Sequence, residues 1–217
     1  MSRVVILRPE PGASATLARA EALGVEAVAV PLFEVAPVEW IVPDAADFDA
    51  LLLTSANAVR HGGIQLSSLS GLPAYCVGAA TAAAAQQAGL GIGATGKGNA
   101  EELAERLPEG LRILHLTGRS HRVVPAVTEI VVYDSVAIDP PPSLDALIGG
   151  VAMVHSPRAG ARLAEVVTTR GNIAIAAISP AAAAACGTGW RAVQSVPAPT
   201  DAALLELAAT LCQRLNA

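Results

Sequence analysis

Polar residues recur in this sequence directly after short apolar runs. Arg8 follows Val4–Leu7, and Thr54, Ser55 and Asn57 follow Leu51–Leu53. Gly78 and Thr81 follow Val77, while Thr117, Gly118 and Arg119 follow Ile113–Leu116. His155, Ser156 and Arg158 follow Val151–Val154, and Ser179 follows Ile178. Each group also precedes a segment of helical character. At a helix start the free N–H groups and the dipole favour anions. The set therefore reads as a surface for carboxylates or phosphates, built from hydroxyls, amides and a few arginines. Ser, Thr and Asn are also the usual N-caps, and for any single hydroxyl capping is the simpler reading. The recurrence is what points to a ligand. Arg8, Arg119 and Arg158 are either bidentate carboxylate grips or solvated loop residues.

Other chemistries find little support. No HxH, HExxH or HxxxH spacing accompanies His61, His115, His121 and His155, so no metal site is expected. There is no GxSxG elbow and no Walker loop. The segment GIGATGKGN (91–99) lacks both the GK[ST] ending and the GxGxxG register, and reads as a flexible turn. Cys76, Cys186 and Cys212 lie in apolar or helical settings that suit packing better than nucleophilic attack. Tyr133, one of 2 tyrosines, ends an apolar run where a linker begins. A strand tyrosine is usually a half-buried aromatic with a satisfied hydroxyl. This one's position also suits a hydrogen-bond donor.

The elements that must carry these residues follow from the pattern. Short β-branched or leucine runs alternate with amphipathic or Ala-rich stretches, as in parallel α/β sheets. Strands are expected at 4–7, 28–30, 51–53, 74–77, 113–116, 130–133, 151–154, 173–178 and 193–196. Helices are expected near 14–23, 79–88, 99–107, 158–168, 180–186 and 201–214. Two segments, 33–39 and 135–139, prolong strands toward prolines and read as linker strands on either side of 40–134.

The second half repeats the first. Ser55 falls on Ser156, Val77 on Ile178 and Leu103 on Leu204, each 101 residues apart. RVVILR (3–8) resembles RILHLT (112–117) at a different offset, 109. The two halves thus hold the same parts in different chain order, as duplication with permutation or insertion would leave them. The expected architecture is α/β: two similar parallel α/β lobes, flavodoxin-like, joined by a two-stranded linker. Residues 1–34 and 137–217 would form a discontinuous lobe, with 35–136 inserted. In such sheets ligands bind beyond the carboxyl ends of the strands, where the polar groups fall.

Composition narrows the rest. Of 217 residues, 53% are hydrophobic and 15% charged, which supplies ample core and argues against disorder. A net charge of −5 with Lys97 as the only lysine argues against a nucleic-acid partner. Three cysteines without a CxxC suit a reducing compartment. No signal-peptide core or membrane-length apolar run is present, so a soluble cytoplasmic protein with no membrane partner is expected.

Several motifs, in order, resemble those of the uroporphyrinogen-III synthase family: an opening strand followed by RP, then PLFEVAPV (31–38), LLLTSANAVR (51–60), YCVGAATAAAA (75–85), VVYDSVAI (131–138) and VHSPRAGARL (154–163). The similarity spans essentially the whole chain. It implies a monomeric, cofactor-free and metal-free enzyme of tetrapyrrole synthesis, a lyase. Its substrate would be a linear polycarboxylate tetrapyrrole, hydroxymethylbilane, cyclised to uroporphyrinogen III with inversion of the last pyrrole ring and loss of water. By the same resemblance Arg8, Thr54, Ser55, Asn57, Gly78, Thr81, Arg119, Ser156 and Ser179 would bind substrate, and Tyr133 would help the hydroxyl leave. Ser179-Pro180-Ala181-Ala182 stands where the family often has Gly-Pro-Thr-Thr, and 118–129 is short for the helix expected there. Such chemistry asks mainly for positioning and one proton donor, so an inconspicuous catalytic set is expected. A non-catalytic two-lobed anion-binding module, a degenerate synthase paralogue and a different two-lobed transferase are the alternatives.

Overall fold

A computed structural model describes residues 2–96, 103, 110–121 and 123–216. The chain divides into two compact units, Met1–Glu34 with Val136–Ala217, and Val35–Ser135. In chain order the strands are β1 (Val4–Ile6), β2 (Ala27–Ala29), β3 (Phe33–Pro37), β4 (Ala50–Leu53), β5 (Ala74–Cys76), β6 (Ile92–Thr95), β7 (Ile113–Gly118), β8 (Thr128–Ala137), β9 (Val151–Val154), β10 (Ala174–Ala177) and β11 (Ala192–Ser195). The helices are α1 (Gly12–Ala22), α2 (Ala56–His61), α3 (Ala79–Gln87), α4 (Pro157–Val166), α5 (Pro180–Ala185) and α6 (Asp201–Asn216).

The first unit is a five-stranded sheet in the order β11-β10-β9-β1-β2, with neighbouring strands parallel throughout. Its inner strands are short and wholly buried (VVI in β1, VAMV in β9, AIAA in β10), because helices cover both faces. Successive side chains alternate between those faces. Val5 and Leu7 join the core with Ala159, Leu163 and Ala182. Val4 and Ile6 join the opposite core with Ala13, Ala20, Leu204 and Leu205. Small residues bring α4 and α5 together: a methyl added at Gly160 would lie 2.7 Å from the Ala182 carbonyl oxygen.

The second unit is built around the order β3-β8-β7-β4-β5-β6. Leaving out the linker strand β3, its parallel order is that of the first unit after cyclic permutation. β7, β8, β4, β5 and β6 take the places of β1, β2, β9, β10 and β11. The first unit therefore has the 2-1-3-4-5 order of flavodoxin-like sheets and the second its cyclic permutation, 5-4-1-2-3, and both halves of the sequence repeat, at their separate offsets, land on equivalent strands. The linker segments pair antiparallel: the Val38 N–H donates to the Val132 carbonyl and the Ile138 N–H to the Leu32 carbonyl, each at 3.0 Å.

Three details differ from the sequence reading. GIGATGKGN is not merely a turn, since Ile92–Thr95 forms strand β6. Glycine hides that strand, yet the fold requires it: a Cβ at Gly93 would meet the Tyr75 ring and Pro73 at 3.2 Å. The runs expected at 130–133 and 135–139 merge into the single strand β8 of 10 residues. A short helix, α2, follows β4 at a start the polar groups suggested but outside the expected helix ranges. The expected helix 99–107 and Lys97 lie outside the described residues, apart from Leu103, which is helical and buried.

Candidate functional site

In each unit the polar residues singled out by sequence gather at the carboxyl end of one sheet. The strand order switches between the parallel neighbours β7 and β4 in the second unit, and between β1 and β9 in the first. Those are the points where open α/β sheets form crevices.

In the second unit, β4 ends at Thr54 and Ser55. Ser55 is the N-cap of α2, and its hydroxyl oxygen accepts from the Asn57 N–H at 3.2 Å. The Asn57 side-chain oxygen accepts from Arg60 at 3.3 Å. Gly78 is the N-cap of α3 with an extended backbone and no side chain, which leaves the helix start open to an incoming group. Thr81 lies one turn in and is buried, so it supports the helix more than it presents a hydroxyl.

Thr54 reaches sideways. Its hydroxyl lies 3.0 Å from Nε2 of His115, a fully buried histidine in the middle of β7. Nδ1 of His115 lies 3.2 Å from Glu129 Oε1, and Glu129 Oε2 lies 2.9 Å from Nε2 of His121. The His121 Nδ1 is 2.7 Å from the Gly118 carbonyl. Burial pushes the His115 pKa down, against the pull of Glu129. The hydrogen bond to Glu129 raises that of His121. Burial opposes charge on Glu129, but hydrogen bonds from His121, the Val124 amide and His115 outweigh it and hold its pKa low. Sequence reasoning, which looked for metal spacings, passed over this group. The signal was the pair His115 and Thr117 alternating with Leu114 and Leu116, two polar groups on one face of a buried strand. Thr117 Oγ1 is itself buried with no partner among the described residues.

Tyr133 lies in β8 beside the end of β7, paired in register with Gly118. Its half-buried ring stands where a Gly118 side chain would be, 6.3 Å between centroids from His61. Burial, then Arg60, lowers the pKa of His61. The Arg119 N–H donates to the Tyr133 carbonyl at 3.0 Å, while its guanidinium is mostly exposed and bonds Asp134 at 3.0 Å. The expected helix between Arg119 and this strand is absent among the described residues of 119–127. A loop there delivers His121 and the Val124 amide to Glu129 instead.

In the first unit Ser156 and Ser179 are N-caps of α4 and α5, accepting from the Ala159 and Ala182 amides at 3.1 and 3.2 Å. Each hydroxyl oxygen is used by its cap, which leaves the O–H hydrogen for another acceptor. Arg8 is not the unpaired cation that its position after β1 suggested. Asp201, the first residue of α6, accepts from Arg8 at 3.2 Å, from Thr16 at 2.9 Å and from His155 Nε2 at 2.8 Å, and Arg19 closes on its other oxygen. Burial opposes charge on Asp201, but the His155 and Thr16 bonds prevail and keep its pKa low. Burial lowers the pKa of His155, against the pull of Asp201. Arg158 stacks on Phe33, 4.7 Å above the ring. An anion at these strand ends would therefore meet helix-start amides and cap hydroxyls more than free arginines. Among the described residues, no three His, Cys, Asp or Glu side chains form a group able to hold a metal. No helix there is long and apolar enough to cross a membrane.

Paired flavodoxin-like units with polar, helix-start-rich strand ends define a class of two-lobed α/β proteins suited to anionic ligands. Comparison with known proteins narrows it. The family model for uroporphyrinogen-III synthase HemD matches residues 14–206, and the chain belongs to that family. A uroporphyrinogen-III synthetase from Helicobacter pylori is similar in fold, with a TM-score of 0.66, 18% identity and coverage of 97% of this chain and 100% of that one. A mutant uroporphyrinogen III synthase from the extremely thermophilic bacterium Thermus thermophilus also matches, with a TM-score of 0.47 and 18% identity over 99% of this chain and 100% of that one. A search of curated proteins finds no match.

Proposed function

We propose that the protein is a lyase that cyclises hydroxymethylbilane to uroporphyrinogen III, inverting the last pyrrole ring and releasing water. The observation that carries this reading is the family match over residues 14–206, in a chain whose permuted units both gather hydroxyls and open helix starts at their strand ends. The lobes are read as 1–34 with 137–217, and 35–136. A substrate with several carboxylates suits such strand ends: each amide-rich helix start takes one anion without a dedicated cation. Ser55, Asn57, Gly78, Thr81 and Arg119 of one unit, with Arg8, Ser156 and Ser179 of the other, are the groups assigned to substrate binding. Thr54 joins them by its place at the end of β4. Tyr133 is assigned to the departing hydroxyl. Its phenol O–H is a hydrogen-bond donor of the kind a departing hydroxyl requires. Ring inversion needs the chain held so that the substituted carbon of the last ring attacks, and most of the acceleration comes from that positioning.

Incubation with hydroxymethylbilane, followed by separation of the type I and type III isomers, tests the reading. The expected product is type III, formed faster than spontaneous closure. Type I alone, at the spontaneous rate, would remove the assignment.

A further inference from the structure

Three neighbouring strands of the second unit carry a hydrogen-bond chain that runs from the half-buried Thr54 to the mostly buried His121. Sheet register puts it there. His115 on β7 is aligned with Leu52 on β4 on one side and with Glu129 on β8 on the other. Thr54, two residues beyond Leu52, shares their face.

The chain fixes its own protons. Nδ1 of His115 faces the Glu129 carboxylate and must be the protonated nitrogen, so Nε2 is an acceptor. The Thr54 hydroxyl, 3.0 Å away, then donates to Nε2. Its only hydrogen is committed, so its oxygen offers lone pairs to anything arriving at the strand end. Such an oxygen repels a carboxylate and accepts an N–H. His121 has acceptors at both nitrogens, the Gly118 carbonyl and Glu129, which fits the imidazolium form and keeps Glu129 ionised.

We propose that Thr54 is a catalytic residue that takes the proton shed by a pyrrole N–H of the substrate, while His115, backed by Glu129, takes the hydroxyl proton of Thr54 in the same step. This rests on the reading of the chain as a synthase acting on a linear tetrapyrrole. Loss of water from that substrate breaks a C–O bond, whose pair leaves with oxygen, and an N–H bond, whose pair becomes part of the new C=N bond. As hydroxide departs, positive charge on the ring acidifies the N–H. Thr54 Oγ1 receives that proton and passes its own to His115 Nε2, and the resulting imidazolium sits against the Glu129 carboxylate. The imidazolium later gives its proton to solvent, and solvent supplies the one proton that turns the departing hydroxide into water, so the balance closes without a co-reactant. Tyr133, on the second strand over in the same sheet, serves the oxygen, and Thr54 serves the nitrogen.

The relay works only while His115 is neutral. The charged groups against it are Glu129 on β8 and His121 on the loop before β8. Burial holds its pKa below 6.5, so the acid limb of kcat lies below that value.

The test compares wild type with Thr54→Val, Thr54→Ser and His115→Gln in the isomer-resolved assay across pH, alongside urea melts and long-range 1H–15N spectra of the histidines. Thr54→Val should lower kcat by about 10²-fold, in the range of one lost proton-transfer group. The isomer ratio should stay nearly constant, and the acid limb should disappear. Thr54→Ser should come within a few-fold of wild type, and His115→Gln should match Thr54→Val. A wild type that makes type III alongside an equally fast Thr54→Val overturns the relay and leaves the function standing. A folded Thr54→Ser as slow as Thr54→Val also overturns it. A wild type yielding only type I overturns both. Spectra showing the Nε2–H tautomer of His115 overturn the relay whatever the activity.

Discussion

Gly118→Ala offers a way to move Tyr133 without touching it. A methyl at Gly118 would lie 2.5 Å from the Tyr133 Cζ, 2.6 Å from Cε2 and 2.9 Å from the hydroxyl oxygen. Carbon atoms settle at about 3.5–4.0 Å, so the outer edge of the ring must retreat by about 1 Å or a little more. The retreat falls on the ring, whose torsions can swing, because Gly118 has no left-handed backbone to strain. Overpacking costs about 1–3 kcal/mol, and a ring only half buried should put this case at the low end. A displacement of about 1 Å at a positioned group costs on the order of 10²-fold in rate. The expected result is therefore a mild shift in urea midpoint and a fall of about 10²-fold in kcat for type III formation.

The reference is Tyr133→Phe, which keeps the ring and removes the donor. Its loss should sit near the low end of the roughly 10²- to 10⁴-fold range for a general acid, since the pyrrole electrons already expel the hydroxide. If both variants act through the phenol, the double variant should be no slower than the slower single one, because residues in contact do not add. Wild-type kcat in Gly118→Ala, with the shifted melt confirming that the methyl is felt, would refute the reasoning: the ring's position would then not matter to the reaction.

Other perturbations separate packing from function. Ser156→Ala and Ser179→Ala should each lose about 0.5–2 kcal/mol in urea melts as the caps go; Ser→Asp at either site should restore stability but raise KM, since the new carboxylate occupies an anion site, and an unchanged KM would make these serines caps alone. Gly160→Ala should destabilise by about 1–3 kcal/mol, because its methyl would press the Ala182 carbonyl at 2.7 Å and the Cys186 sulfur at 3.0 Å, while kcat per folded molecule stays constant. On acidification from pH 7 to 5 the urea midpoint should fall. His115 and His155 are held below 6.5 by burial, so the unfolded chain binds more protons in that window and the stability present above 6.5 is lost as pH drops. The raised pKa of His121 opposes this weakly, and a midpoint that rises toward pH 5 would contradict the buried neutral histidines.

The architecture was legible because its signals are periodic. Runs such as LLL at 51–53 and VAMV at 151–154, short and bounded by polar turn and helix-start residues, read as strands buried on both faces, and fixed offsets across the motifs exposed the repeat. Tertiary pairing was not legible. Arg8 follows a strand as an anion-binding arginine would, but its partner Asp201 lies 193 residues away, and no local pattern announces it. β6 was hidden by the glycine that lets it approach Tyr75. The chain from Thr54 to His121 depends on register across three strands, while one histidine inside ILHLT reads locally as an isolated polar residue.

On the proposed reading, the repeat gives one scaffold two chemistries. Thr54 and His155 occupy equivalent positions, 101 residues apart, at the ends of β4 and β9. In the first unit the histidine stands at the strand end and is closed off by Asp201, which also holds Arg8 and Arg19. Asp201 offsets one of the two arginine charges and takes up donors of both, so an arriving anion relies more on the amides and hydroxyls at the starts of α4 and α5. In the second unit the hydroxyl takes the strand end, and the histidine moves one strand over, buried behind it on β7. There the charges lie at the back, and the group in front is a neutral oxygen whose acceptor character they dictate. The first arrangement suits binding of a carboxylate and the second suits handling of a proton. On that reading the division of labour follows from which residue, Thr or His, ends the equivalent strand.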